Sequence, residues 1–499
     1  MTENRPNIIF IMSDDHAAHA MSCYTNIMHH HNQINETPNI DRIAKEGVIL
    51  ENCFCTNSLC TPSRASILTG KYSHKTGVTT IRTHLNNQIP TFAKMLQADG
   101  YQTAMIGKWH LGRGKKHYPN GFDYWNILPA QGWYRNPLFI EMGKLRRIKG
   151  YVTNLITEFS LDWLKKRDKS KPFLLLCHHK APHRPWISDK KYKELYKEEE
   201  IPYPLTFDDD YSNRSSAAEH AFMRVERAMN YSDLKLKSPL RKRWLTLPIP
   251  ENFEDYKLKT EEGKVISFES KEELKKWKYQ RYIKEYLRCV QSVDDSVGKI
   301  LEFLDEQNLV DNTIIIYTSD QGFFLGDHGW YDKRFMYEES LRMPMVIRYP
   351  KEIKPGSLNK DIIINVDFAE TFLDYAEIET PRDMQGRSFR HLVRGESDET
   401  WRDSFYYRYW CNGGFHKVYS HYGIRTLKYK LIYYYCDPLG LKGARNDPHA
   451  PEWELFDLEK DPLEIKNEYN NPQYSEIIKE LKKELLRLQN KLQDHPYRT

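Results

Sequence analysis

The chain has no apolar run approaching the roughly 18 uninterrupted residues that a membrane-spanning helix needs, and this excludes an integral helical membrane protein. Cysteine is sparse, eight in 499 residues at irregular spacing, so no disulfide framework is expected. The N-terminal stretch Met1 to Pro6 leads directly into a short strand-like segment without the pattern of an export signal, so the expected location is cytoplasmic, with reduced thiols. The sequons at Asn213 and Asn230 then carry no weight. Charge of one sign is also lacking: 74 Lys and Arg stand against 69 Asp and Glu, a net +5 spread through mixed segments. Such a balance suits an anionic small substrate and does not argue for nucleic acid. There is no internal repeat and no low-complexity segment. Nucleotide-binding glycine loops are missing too, since Gly70-Lys71-Tyr72 has no Walker Ser/Thr and Gly112-Arg113-Gly114 has no third glycine at position 117. The run His29-His30-His31 reads as a solvated loop.

What is present is an alternation of elements. Apolar runs of strand length at Ile8–Met12, Ala104–Ile106, Phe173–Cys177, Ile314–Tyr317 and Pro344–Arg348 are separated by helical patterns. That order predicts a large, mainly parallel sheet covered by helices on both faces. Thr37 with Pro38 at the first helical position, and Thr91 with Gly100 at the far end, punctuate two short helices. Residues 276–307 repeat Tyr282, Tyr286, Val290, Val293, Val297, Ile300 and Leu304 at helical spacing, a core-facing stripe. From about 187 to 275 the chain turns charged and irregular, as an insertion over the sheet would; its Asp208-Asp209-Asp210 reads as a solvated face with no metal assigned. Beyond residue 398, aromatic alternating segments at 405–410, 429–435 and 453–461, followed by an amphipathic pattern over 475–492, predict a smaller α+β unit, an antiparallel sheet with one helix. The expected division is therefore 1–398 and 399–499.

Several groups carry chemistry. Asp14 and Asp15 follow the first strand and Asp320-Gln321 follows another, at the carboxyl ends where open α/β sheets place their sites. Each alone is a strand-end turn acid. Together they offer three carboxylates and an amide oxygen to one hard cation, calcium or magnesium but not zinc. Lys108 and His110 follow a third strand with a spacing that puts both on one side of an extended segment; His183 follows a fourth, and Lys333 lies shortly after Asp320. The run Cys60-Thr61-Pro62-Ser63-Arg64-Ala65-Ser66-Ile67-Leu68-Thr69-Gly70 is the most specific of all. A bare cysteine with Pro at +2 and Arg at +4 recurs by chance, as a buried residue at a loop-to-helix junction. The longer run in this company does not.

This set resembles the type I, formylglycine-dependent sulfatases of the alkaline-phosphatase-like superfamily, and the likeness extends nearly end to end. It includes the tail Glu454-Leu455-Phe456-Asp457-Leu458-Glu459-Lys460-Asp461-Pro462, similar to the closing unit of bacterial glycan sulfatases. The resemblance implies that Cys60 is oxidised to formylglycine, one hydroxyl of whose hydrate attacks sulfur to form a covalent sulfate hemiacetal while the other later expels sulfate. It implies calcium held by Asp14, Asp15, Asp320, Gln321 and the modified Cys60. Arg64 would support the formylglycine, Lys108 and Lys333 would grip sulfate oxygens, His110 would deprotonate the expelling hydroxyl and His183 would protonate the leaving alcohol. Gln321 stands where Asn or His is more usual, and it keeps an oxygen ligand.

The implied function is hydrolysis of a sulfate ester on a sulfated sugar or glycan fragment. A maturation enzyme, either a formylglycine-generating oxidase or an anaerobic radical type, is the implied protein partner. Trp109, Arg113, Arg184, Trp186, His328 and Trp410 are candidates for shaping a sugar subsite, although each is equally a packing residue. Two alternatives remain open at this point: a phosphonate or phosphate ester hydrolase of the same superfamily, and a sulfated-glycan binding protein that never matures its cysteine.

Overall fold

The computed structural model describes residues 5–28, 32–239 and 243–495; the His29-His30-His31 run lies outside the described residues. Ten strands form the principal sheet: β1 (Asn7–Asp14), β2 (Val48–Leu50), β3 (Gln102–Lys108), β4 (Tyr124–Leu128), β5 (Leu138–Glu141), β6 (Lys144–Arg147), β7 (Phe173–Pro182), β8 (Thr313–Ser319), β9 (Met345–Arg348) and β10 (Ser357–Asn359). Their spatial order is β10-β2-β9-β8-β1-β7-β3-β4-β5-β6. The five central strands, β8-β1-β7-β3-β4, run parallel, and antiparallel pairings flank them on both sides. A parallel sheet needs cover on both faces, and the pleat supplies two apolar faces from one strand. In β1, Ile8, Phe10 and Met12 enter one core while Ile9 and Ile11 enter the other. The outer strands β2, β4, β5, β6 and β10 are short or mixed in character, and the apolar-run reading of the sequence does not find them.

Against the Ile8/Phe10/Met12 face lie helices α1 (Cys60–Thr69), α2 (Phe92–Ala98) and α4 (Asp367–Tyr375), and against the other lies α3 (Lys271–Glu306), 36 residues long. α3 begins five residues before the predicted start because Ser270 caps it, its hydroxyl accepting from Glu273 N at 3.1 Å. Thr91 caps α2 as expected, accepting from Lys94 N. Thr37 does not cap: its hydroxyl donates to Asp41 at 3.1 Å and pairs with Ser22 instead. Residues 187–275 contain two short helices and a two-stranded hairpin, with Phe207 and Val225 buried in the core beneath α3. Within them Asp209 is no solvated acid, since its carboxylate accepts from Arg214 at 2.5 Å and pairs with the buried His328 at 3.0 Å.

The C-terminal part is a four-stranded antiparallel meander, β11 (Ser404–Tyr409), β12 (His421–Thr426), β13 (Tyr429–Tyr434) and β14 (Glu452–Asp457), with helix α5 (Ser475–Leu492) packed on it. β12 was not visible as an alternating segment because Gly423 interrupts it, where a Cβ would come within 2.3 Å of Leu431 O. Tyr407 ties this sheet to the principal one: its hydroxyl accepts from Ser58 N at 3.1 Å and donates to Arg334 O at 2.8 Å.

Candidate active site

Five segments end at one point because the parallel strands all finish on the same edge. β1 delivers Asp14 and Asp15, β8 delivers Asp320 and Gln321, β3 delivers Lys108, and β7 runs on to Pro182 and so presents His183 at its tip. Cys60 is the first residue of α1, whose N-terminal N–H groups favour negative charge nearby. One oxygen each from Asp14, Asp15 and Asp320 lies within 4.8 Å of the others, and ligand atoms of Asp14, Cys60 and His183 are grouped within the same span. Asp14, Asp15, Asp320, Gln321 and Lys108 are at most 1% exposed.

The cations are threaded between the carboxylates. Lys108 Nζ donates to Asp14 and, at 2.5 Å, to Gln131 Oε1. Lys333 Nζ donates to Asp15 at 2.5 Å. Arg64, one helical turn beyond Cys60, donates through Nε to Asp320 at 2.8 Å and through Nη1 to Lys108 O at 2.7 Å. Gln321 Nε2 donates to Asp15.

The electrostatics of this cluster are those of crowded anions. Burial and the neighbouring carboxylates push Asp15 up to about 7, against the pull of Lys333. Burial and Asp14 push Asp320 up to about 6. Asp14 alone stays well below the usual range, because Lys108, His183, Arg64 and Lys333 overcome its burial. Asp14 Oδ1, Asp15 Oδ2 and Gln321 Oε1 are buried with no hydrogen-bond partner among the described residues. Buried oxygens are normally satisfied, so three orphans on converging groups fit a divalent cation held by oxygen ligands.

Burial also raises the Cys60 thiol, so the unmodified side chain is not a thiolate at neutral pH and would be a weak nucleophile. Both histidines are held well below their usual pKa, first by burial and then by Lys108 and Lys333, with Asp14 opposing. His183 Nδ1 lies 2.6 Å from Arg184 O, which can only accept; the proton therefore sits on Nδ1 and Nε2 faces the site, 3.8 Å from Asp15. His110 Nδ1 is 3.3 Å from Thr61 Oγ1. β3 stops at Lys108 and His110 adopts φ 57°, so Lys108 reaches the site from the strand end and His110 by a turn of the chain, not by the extended alternation expected from their spacing.

Cys60, Arg64, Lys108, His110, His183, Lys333, Asp14, Asp15, Asp320 and Gln321 are thus brought together. The expected sugar residues are not. Trp186 is fully buried against Tyr282, Phe323 and Tyr331, and His328 is fully buried beside Asp209, so neither has surface to offer a ligand. The guanidinium of Arg408 lies 3.5 Å from the ring centroid of Trp410, an indole that is largely buried. Trp109 and Arg113 do share a cavity of about 350 Å³ with His110. Arg184 is paired with Asp233 and lies over the Tyr331 ring.

Sequence reasoning missed Gln131, which follows β4 and was open to the same strand-end argument. It also missed Asp332, which pairs with Arg334 at 3.0 Å and faces His416 at 3.5 Å, because His416 comes from the distant C-terminal part. Lys180 was missed as well; burial, with Lys108 nearby, lowers it to about 8.

Residues 6–378 match the family described as Sulfatase, and residues 326–491 match the family described as N-sulphoglucosamine sulphohydrolase, C-terminal. The chain belongs to the sulfatase family. This sulfatase is 43% identical over 510 residues to the N-acetylglucosamine-6-O-sulfatase of Bacteroides thetaiotaomicron, an alignment covering 98% of this chain and 87% of that one. It is 28% identical to an arylsulfatase of Clostridium perfringens, over 97% of this chain and 94% of the relative. Among solved structures it superposes with a TM-score of 0.87 and 41% identity on a protein in complex with its substrate D-glucosamine-2-N,6-O-disulfate, covering 99% of each chain. The protein is a sulfuric ester hydrolase, and its family implies a formylglycine nucleophile and a divalent metal. No helix among the described residues is long and apolar enough to cross a membrane.

Proposed function

We propose that this sulfatase removes the 6-O-sulfate from a glucosamine unit, free or at the end of a short sulfated oligosaccharide. The observation that carries the reading is that the end-to-end relative is a 6-O-sulfatase of this sugar and that the substrate in the matching structure is a glucosamine bearing a 6-O-sulfate, over a site whose chemistry-bearing residues all converge.

In this reading Asp14, Asp15, Asp320 and the Gln321 amide oxygen, with position 60, hold the cation. Calcium is the proposed ion, because its larger and more flexible coordination shell accommodates a longer Gln arm better than the strict octahedron of magnesium does. When bound it supplies Lewis-acid polarisation of a sulfate oxygen. Dialysis against a chelator is expected to abolish turnover; restoration by magnesium and not by calcium would overturn the choice of ion.

The side chains supply the rest. Position 60, matured to formylglycine by a dedicated enzyme, brings the nucleophilic hydroxyl, and Arg64 holds that end of α1 against Asp320 and the Lys108 carbonyl. Lys108 and Lys333 exchange their carboxylate partners for sulfate oxygens as charge grows there, the kind of preorganised stabilisation that removes most of a barrier. His183 Nε2 hands its proton to the departing sugar oxygen. In the ligand-free site that nitrogen is unprotonated, first because it is buried and then because Lys108 and Lys333 face it; a sulfate ester placed between the two lysines offsets the second of these causes. His110 takes the proton of the hydroxyl that ejects sulfate. Asp332, the residue before Lys333, pairs with Arg334 and His416, and we assign this network to hydrogen bonding with the sugar, while the Trp109/Arg113 cavity beside His110 accepts what is attached to it.

The deciding experiment coexpresses the chain with each type of maturation enzyme. It reads the mass of the tryptic peptide Glu46–Arg64 alongside hydrolysis of N-acetylglucosamine carrying sulfate at O3, O4 or O6. Conversion of Cys60 with turnover of the 6-sulfate alone is expected. Conversion with preference for another position would sink the sugar assignment, and an unconverted thiol with both enzymes would sink the mechanism.

A further inference from the structure

At the C-terminal end of α1, about 15 Å from Cys60 at ~1.5 Å of rise per residue, the junction between the principal sheet's helices and the C-terminal sheet opens into a cleft of about 870 Å³. That is toward the upper end of the roughly 300–1,000 Å³ typical of ligand pockets. The lining carries Lys71, Lys75, Arg382, Arg387, Arg402, Arg487 and Lys491, drawn from segments far apart in the chain. Only Asp383 and Asp403 among the lining residues are acidic. The sequence spreads its +5 surplus thinly; folding gathers seven cations and two acids on the lining of this one cleft.

Part of that charge is committed. Lys71 pairs with Asp383, Arg402 with Asp367, Arg387 with Asp398 at 2.8 Å, and Arg487 with Glu484 at 2.6 Å. Lys75, Arg382 and Lys491 are exposed and make no ion pair with a carboxylate among the described residues; Lys75 is pointed along the cleft by a 2.5 Å bond to the Gln493 amide. These three cations, unpaired with carboxylates among the described residues and set in one cleft with arginines already oriented by their carboxylates, form a receptor for spaced anionic groups. The aromatic residues in the cleft, Tyr72, Trp401 and Phe405, are at most 9% exposed. No ring face is offered for stacking, so the lining has what sulfate groups need and lacks the platform that single-stranded nucleic acid uses.

The geometry points to this cleft as a second anion-binding site, one that holds the sulfate groups of a sulfated oligosaccharide away from the hydrolytic centre. It retains a multiply sulfated chain on the enzyme between encounters with the active site, and so raises the local concentration of chain ends. The inference rests on the sulfatase activity and not on which sugar position is cleaved.

The test uses the matured enzyme and a 6-O-desulfated heparin hexasaccharide as probe, with K75A/R382A/K491A as the variant. The wild type is expected to bind the probe with an affinity that falls as salt rises. The variant should bind at least tenfold more weakly, while turnover of 4-methylumbelliferyl sulfate stays within twofold and reports an intact fold and active site. A single variant, R382A, is expected to show a partial loss of the same sign. Undetectable binding by the wild type, equal affinity in wild type and triple variant, or equally tight binding of a single-stranded oligonucleotide of matched charge would each overturn the proposal. Because the aryl ester probes only the shared sulfatase chemistry, an error in the proposed sugar leaves this outcome readable.

Discussion

At the scale of the residue, the centre is a contest between burial and charge. Three carboxylates and three cations sit in one dry pocket, and two of the carboxylates are pushed up to about 7 and about 6 because the cations present do not suffice. A divalent ion would relieve this crowding, and the orphaned oxygens of Asp14, Asp15 and Gln321 are the ligands proposed for it. His183 gives the sharpest prediction. If its Nε2 protonates the leaving oxygen, H183A should lose about 10²–10⁴ in kcat/KM on a sugar sulfate, the usual worth of general acid catalysis. It should lose far less on 4-nitrophenyl sulfate, whose phenolate leaves without help. Equal losses on both substrates would assign His183 to positioning instead of proton transfer.

At the scale of the element, strands and one helix act as fixed rulers. β1, β3, β7 and β8 end together because they pair in parallel register, Ile8 with Leu174 and Ile314, and Met105 with Leu176. A shift at any of these ends displaces a group proposed to take part in catalysis. Gly107 is where β3 is most vulnerable: it has φ 106°, and a Cβ there would meet His178 O at 1.9 Å. The G107A variant is expected to lose about 3 kcal/mol or more of stability, from backbone strain added to a clash with main chain. Folded variant should also turn over poorly, since Lys108 is the next residue. Denaturant unfolding together with activity per folded molecule checks this; wild-type stability would show that β3 and β7 can separate freely at this point.

At the scale of the whole molecule, the C-terminal sheet is fastened to the catalytic side by charge as well as packing. Glu338, five residues beyond Lys333, accepts from Arg425 at 3.2 Å and pairs with Lys430 at 2.9 Å, and Lys430 also holds Glu464 at 2.5 Å. Elsewhere the fold carries an acid that opposes it. Glu370 is 2% exposed, and burial followed by the nearby Asp367 pushes it from 4.5 up to about 8, with Oε2 unpartnered. The native state therefore holds this proton more tightly than the unfolded chain does. Stability from this group is complete below about pH 4.5 and is lost as pH rises through about 8. E370Q should remove that loss. Relative to wild type it should be neutral near pH 4 and more stable by about 5 kcal/mol well above pH 8. A difference that does not grow with pH would mean the carboxyl is ionised in the native state.

The sequence alone determined the class of sheet, the helices on both its faces, the small antiparallel unit at the end, and ten of the groups that meet at the centre, Cys60 among them. It could do so because strand ends, apolar period and a specific eleven-residue run are local properties, and a parallel sheet turns strand ends into a site without further information. Tertiary structure decided what locality cannot carry. It buried Trp186 and His328, which look like candidates for a sugar subsite until the core closes over them. It brought His416 from the C-terminal part to Asp332, turned the chain at His110, and added Gln131 to Lys108. It also collected dispersed lysines and arginines into one basic cleft. Each of these depends on which surfaces meet across long sequence separation, and burial, on which pKa, packing and charge density all depend, exists only after they have met.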